Sequence, residues 1–289
     1  MQELKHFKED QRKQIKYVLM DIDDTLTLEG KLPAVAYGAL EKLQESGIKV
    51  IPVTGRPAGW CDHIARMWPV DCVIGENGAF YFYYSKEENR IIHRYYTAAF
   101  QKEYESGESA NRKSNLNKLI NIGLTVCEKY NSKSDKEKIH ISNDQFYRET
   151  DVAVDFAEDV PYKLDLEKTQ EVYRMIVEEG ERQRGVEPLP FVAKISSIHI
   201  NAWYGDYDKV KMAKLMFKNL FDSDYDDIKQ QVVFAGDSPN DAPMFAEVPN
   251  AVGVANVMKY VDILEAKPAW ITSKPGGFGF AELADAILS

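Results

Sequence analysis

Residues 17–28 read YVLMDIDDTLTL, an apolar run that stops at three carboxylates, Asp21, Asp23 and Asp24. Tyr-Val-Leu-Met has the composition of a short buried strand. Carboxylates this close repel, and each resists ionising beside the others. A cation gathered at the strand end would resolve the crowding. Taken alone, the same residues would serve equally well as an acidic helix cap or a solvated turn.

Outward from that strand, residues 16–21, the sequence alternates in a regular way. A helix over 33–46 closes on Gly47, a strand follows at 48–54, a helix at 58–68 and a third strand at 71–75. This rhythm predicts βαβ units and a parallel sheet. At Asn77 the texture changes. AFYFYYSKEENRIIHRYY alternates aromatics around a polar turn at 86–89, the pattern of a β-hairpin. Residues 98–138 are polar and helical in parts, with ESGESANRKS a helix break or loop. VAVDF and AKISSIHINAW read as short strands flanking a helix over 166–183.

From Asp208 the first rhythm returns: a helix over 209–220, the strand QVVFAGD, a helix over 242–247 and the strand AVGVA. A helix over 257–266, a short strand at 270–272 and a final helix complete it. The predicted fold class is α/β, a Rossmann-like doubly wound parallel sheet. Residues 1–84 and 198–289 make its discontinuous core, and 85–197 form an inserted α+β domain. The opening MQELKHFKEDQRKQIK reads as a frayed or helical lead-in.

The totals narrow the function classes. The 289 residues are 44% apolar and carry 36 basic against 46 acidic side chains, a net charge of −10. That balance argues against nucleic acid as a partner, because phosphate-backbone binders show a basic footprint. No run reaches the length of a membrane span, and the start is too charged for a secretory signal. Cys61, Cys72 and Cys127 have no metal-ligand spacing and no even-numbered disulfide set. A reduced, cytoplasmic protein fits, as a monomer or small homo-oligomer. His63, His93, His140 and His199 are scattered without ligand spacing, and are expected to be structural or surface residues.

The chemistry is expected where the strands stop, since open parallel sheets bind ligands beyond their carboxyl ends. In VIPVTGRP, Thr54 supplies a hydroxyl and Gly55 lets backbone amides approach an anion. Arg56 is a candidate phosphate or substrate contact. In GDYDKVKMAK, Lys209 opens a helix, with Lys211 and Lys214 competing for the same role. In VVFAGDSPNDAPMF, Asp237 and Asp241 follow a third buried strand, and Ser238 and Asn240 add oxygens or positioning hydrogen bonds. Each loop taken singly also fits an ordinary turn or cap. Four of them in this order do not.

D-x-D-x-T, a strand-end Thr, a Lys and G-D-S-x-N-D together resemble the haloacid dehalogenase superfamily of phosphotransferases. The insertion between the second motif and the lysine resembles that superfamily's type-II (C2) cap. IGENGAFYFYY, leading into the insertion, and VGVANVMKYVDILEAKPAWITSKPGGFGFAELADAIL, closing the core, are similar to its IIB, Cof-like branch. The resemblance implies that Asp21 is the nucleophile, forming an aspartyl-phosphate, and Asp23 the general acid and base. It implies that Thr54, Gly55 and Lys209 hold the phosphoryl group. Mg²⁺ would sit on the Asp21 side chain, the Asp23 carbonyl and Asp237, with Asp241 nearby or bound through water.

Two positions depart from the family pattern: Asp24 and Val210 stand where Gly is frequent. An acid at Asp23 favours a phosphatase or phosphomutase, because the leaving oxygen needs a proton. The expected activity is hydrolysis of small-metabolite phosphate monoesters, sugar phosphates first, with Arg56, Asn77 and Asn240 as candidate substrate contacts. The alternatives are a sugar phosphomutase and a binding protein that kept the fold without turnover.

Overall fold

The computed structural model describes residues 1–133, 136–185 and 189–289. At its centre runs the strand Tyr17–Met20, whose Val18, Leu19 and Met20 are wholly buried. Apolar on both faces, it suits the middle of a parallel sheet covered by helices. Lys49–Pro52 pairs with one edge and Val232–Gly236 with the other, both parallel. Asn250–Gly253, Trp270–Ile271 and Gln2–Glu3 extend the sheet beyond Val232–Gly236, completing six parallel strands. The chain leaves the central strand toward one edge and later returns to build the other. With right-handed crossovers, this places helices on both faces and a switch point at the ends of the central strands.

The described residues form two compact units, one made of Met1–Arg56, Trp60–Arg94 and Tyr207–Ser289, the other of Pro57–Gly59 and Tyr95–Asp206. In the first, the helices Ala34–Glu45 and Gly276–Leu288 pack together, as do Lys209–Leu220 and Ala242–Glu247. Val73–Gly75 joins the hairpin of Phe80–Ser85 and Arg90–Tyr95 in a separate three-stranded sheet. It meets the main sheet through the bridge Val53–Ile74.

The second unit holds an antiparallel sheet ordered His140–Ile141, Asp151–Asp155, His199–Tyr204, Phe191–Ile195. Val154, Ile200 and Ala202 on one face pack with Leu119, Ile122 and Val126 of the helix Ala110–Asn131 and Val172 and Ile176 of Leu166–Arg184. The predicted break in the polar segment falls at Gly107, which ends the helix Ala98–Ser106 in the left-handed conformation that favours glycine. Residues 134–135 of that segment lie outside the described residues.

Three expectations differ from the structure. The opening residues are not frayed, and their helical part is confined to the short turns Leu4–His6 and Glu9–Arg12. Gln2–Glu3 is a strand, and Phe7 is buried with its ring stacked 5.1 Å from Trp270. AKISSIHINAW is not one strand but parts of two, turned at Ser196, whose hydroxyl accepts the His199 N–H at 3.0 Å. No α-helix forms over 257–266. Ala255–Tyr260 is a 3₁₀ turn, in which Asn256 is drawn away by side-chain bonds described below.

Candidate active site

Because the core strands are parallel and in register, their carboxyl ends converge on one edge of the sheet. The ladder runs one step past the central strand, where the Asp21 N–H donates to the Ala235 carbonyl at 2.9 Å. Asp21 therefore sits beside Asp237, which follows Gly236 on the next strand. Lys209 is brought in from the first turn of Lys209–Leu220, a helix capped by Asp208, which accepts from the Lys211 N–H. Gly78 seats that helix end: a Cβ there would stand 2.1 Å from the Asp208 carbonyl oxygen.

The Lys209 ammonium is 2% exposed and donates to Asp21 Oδ1 and Asp241 Oδ1, each at 2.7 Å. Lys214 pairs with Glu247 instead, at 2.7 Å. Asp241 Oδ2 accepts the backbone N–H groups of Asp237 at 3.0 Å and Ser238 at 3.2 Å. Gly236 makes room for this carboxylate, since a Cβ there would lie 2.6 Å from Asp241 Oδ2. Asp237 takes the Thr25 hydroxyl at 3.3 Å and the Asn256 amide at 3.0 Å. Asp24 adopts a left-handed turn conformation, at φ 57°, and its carbonyl accepts from the same Asn256 amide at 2.9 Å.

Asp21, Asp237 and Asp241 offer carboxylate oxygens within 4.8 Å of one another, all buried. With all three ionised, the carboxylates would leave two negative charges out of water against the one ammonium. Burial first, then the neighbouring Asp241 and Asp23, pushes the Asp21 carboxyl up to about 8, against the pull of Lys209. Burial and the charges of Asp241 and Asp21 also push Asp237 well above the usual carboxylate range. Burial alone would lower the proton affinity of Lys209, but the Asp21 and Asp241 carboxylates outweigh it and hold the ammonium protonated.

The deficit matches one divalent cation, and an all-oxygen donor set suits Mg²⁺. Asp241 spends one oxygen on Lys209 and the other on two backbone donors. Asp21 and Asp237 are therefore the carboxylates best placed to ligate directly.

A pH dependence follows. Asp21 keeps its proton in the fold between its ordinary value of 3.8 and about 8, where the unfolded chain has lost it. Stability therefore falls as pH rises through that window. In EDTA, thermal unfolding should shift downward between about pH 4 and pH 8, more steeply than in Asp21→Asn. Mg²⁺ should raise the midpoint more at pH 8 than at pH 6, and equal gains at both would contradict the assignment.

Arg56, the candidate phosphate or substrate contact, is held by Asp23. It is buried, with Nε 2.8 Å from Asp23 Oδ2 and Nη2 2.7 Å from Asp23 Oδ1, a bidentate pair. Its guanidinium also stacks 4.3 Å over the Trp60 ring. Thr54 is fully buried, and its hydroxyl accepts the Arg56 N–H at 3.0 Å, closing the tight loop around Gly55. Asn77 is buried at φ 56°, its N–H on the Thr54 carbonyl at 3.0 Å. Its Nδ2 has no hydrogen-bond partner among the described residues and faces Gly55, 3.1 Å from where a Cβ would stand. Asn240 is buried and accepts the Ser238 hydroxyl at 2.7 Å.

Residues 18–264 match the family model described as haloacid dehalogenase-like hydrolase. The chain belongs to that family. It is 27% identical over 282 residues to a phosphoglycolate phosphatase of Staphylothermus marinus, across 95% of this chain and 98% of that one. Among solved structures, a Thermoplasma acidophilum protein is similar with a TM-score of 0.60 at 18% identity, covering 95% of this chain and 98% of its own. A Synechocystis sucrose-phosphatase gives 0.57 at 11%, over 95% and 98%. A haloacid dehalogenase subclass IIB sugar phosphatase gives 0.51 at 16%, over 89% and 93%. At these identities the structures speak for the fold.

In this haloacid dehalogenase-like hydrolase, sequence reasoning missed Asn256. Its amide binds the Asp24 carbonyl and Asp237, and its Oδ1 accepts the Gly276 N–H at 2.9 Å. One side chain thus ties the first motif, the last motif and the C-terminal helix. Trp60, beneath Arg56, was also missed. Among the described residues no helix is long and apolar enough to cross a membrane.

Removing Arg56 should separate two roles. If it positions Asp23, Arg56→Ala lowers kcat by about 10²-fold with little change in KM, since small misplacements of a catalytic group cost this much. A raised KM with kcat preserved would make it a phosphate contact after all. Steady-state kinetics distinguishes the two.

Proposed function

We propose that this chain is a Mg²⁺-dependent phosphatase that cleaves small phosphate monoesters through a phosphoryl group carried on Asp21. One observation carries the reading: Asp21, Asp237, Asp241 and Lys209 meet in a buried cluster that, once its carboxylates ionise, is two positive charges short of neutral. Mg²⁺, held by Asp21 and Asp237, would supply positive charge against the phosphoryl oxygens.

In the first step an Asp21 oxygen attacks phosphorus, and the bond to the ester oxygen breaks. Asp23 gives that oxygen its proton, so the product leaves as an alcohol. In the second step Asp23 takes a proton from water, the water oxygen attacks phosphorus, and the Asp21–phosphorus bond breaks to release phosphate. Lys209 donates to Asp21 and is close enough to share its ammonium with a bound phosphoryl oxygen. Thr54 and Gly55, at the end of the neighbouring strand, are proposed to contact the same group. Arg56, paired with Asp23, is proposed to hold that carboxyl in position for both proton transfers. The Tyr95–Asp206 unit is proposed as the cap that selects substrate.

Sugar phosphates are the first substrate class, as the names of similar structures suggest. Phosphoglycolate, named for the relative at 27% identity, is the second. Phosphate release over a panel containing both, in Mg²⁺ and in EDTA, tests the proposal. Mg²⁺-dependent release from one member well above the rest supports it. An isomerised sugar phosphate without free phosphate would make the protein a mutase. No reaction in either buffer would leave a binding protein.

A further inference from the structure

The second unit carries a cluster that the phosphatase reading does not use. Asp155 ends one strand and His199 begins its antiparallel neighbour, the two directly opposite in register. Their side chains therefore project from the same face. After Asp155 the chain folds back around its carboxylate: Oδ1 accepts the N–H groups of Ala157 and Glu158, and Oδ2 that of Asp159, all at 2.9 Å. That fold-back delivers Glu158 to the imidazole. His199 Nε2 lies 3.1 Å from Glu158 Oε2 and 4.0 Å from Asp155 Oδ2. The three donor atoms fall within 4.8 Å of one another.

A hydrogen-bonded pair would be the simplest account, but the imidazole makes no such bond. His199 is 2% exposed, and its Nε2 makes no hydrogen bond among the described residues. At 3.1 Å the distance suits a hydrogen bond, so it is the direction of the N–H that misses Glu158. A buried ring nitrogen without a partner is costly to leave unsatisfied. A ring nitrogen aimed beside a carboxylate, rather than at it, is how two ligands of one cation stand. Bonds of about 2.0–2.2 Å from a Zn²⁺-like ion place neighbouring N and O ligands roughly 3.0–3.4 Å apart.

We infer that His199, Glu158 and Asp155 form a second metal site, for a divalent cation that accepts nitrogen together with oxygen, such as Zn²⁺ or Co²⁺. Glu158, 28% exposed on its side chain, gives the ion a way in and leaves positions for water. Asp155 completes the set by a small closure or through one of those waters. The bound ion would pin the loop after Asp151–Asp155 to the hairpin of Phe191–Ile195 and His199–Tyr204. The site differs in chemistry from the all-oxygen set around Asp21, which prefers Mg²⁺. It does not depend on the phosphatase proposal.

That difference supplies the test. Full-length protein is stripped with chelator, held in excess Mg²⁺ to fill the oxygen site, and titrated with Co²⁺. Binding is followed by calorimetry and by the visible absorption of the ion. One equivalent is expected, with a spectrum showing nitrogen ligation, and Asp237→Asn should keep it. His199→Ala should abolish it, and Glu158→Gln should weaken it by about tenfold or more. Because Glu158 sits at the surface, its variant tests the site even if His199→Ala fails to fold. No Co²⁺ uptake in the presence of Mg²⁺, or unchanged uptake in Glu158→Gln, overturns the inference.

Discussion

Asp21→Asn is expected to lower phosphate release by about 10⁴-fold or more while the protein stays folded, the scale seen when a covalent nucleophile is removed. The substitution is nearly isosteric, so packing at the strand end is kept. A neutral amide cannot attack phosphorus. The amide also removes one of three buried carboxylates from a cluster already short of positive charge. Metal-free stability should therefore hold or rise above about pH 8, where the native carboxylate would be ionised. Kinetics and thermal unfolding on the same sample read both effects. Retained turnover in a folded variant would rule out Asp21 as nucleophile.

Lys209→Met is expected to cost both stability and activity. The ammonium is the shared partner of Asp21 and Asp241, and its loss strands buried carboxylates. Breaking a buried pair from one side costs about 3–5 kcal/mol, because the remaining charge has no solvent to turn to. Urea unfolding in EDTA should show this loss, and Mg²⁺ should recover part of it. Phosphate release should fall by about 10²–10³-fold, the range for deleting one preorganised donor to a transition state. Adding Asp241→Asn should restore stability toward the native value and leave activity low. If the single variant were as stable as the parent, the charge balance described for this site would be wrong.

What the sequence revealed was mostly local. DIDDT, TGR and GDSPND announce themselves because each is a strand end read within a few residues, and a parallel sheet brings such ends together. The choice of Lys209 over Lys211 and Lys214 was narrower, and the structure brings only Lys209 to Asp21. What escaped was non-local or disguised. Phe7 meets Trp270 from the opposite end of the chain, and no short window relates them. Asn256 lies in a segment whose apolar spacing imitates a helix, while its side chain answers to Asp24, Asp237 and Gly276. The turn at Ser196 contains no Gly, Pro or Asn to mark it, only a hydroxyl that closes it. His199 showed no ligand spacing because Asp155 and Glu158 reach it across a strand pairing.

Rapid-quench mass spectrometry of the enzyme mixed with its preferred phosphate ester tests the central claim most directly. A phosphoryl group should appear on the peptide carrying Asp21 before free phosphate reaches its steady rate, and should be absent from Asp21→Asn. Phosphate release with no label on the protein at any time, or with the label on another residue, would contradict an Asp21 phosphatase.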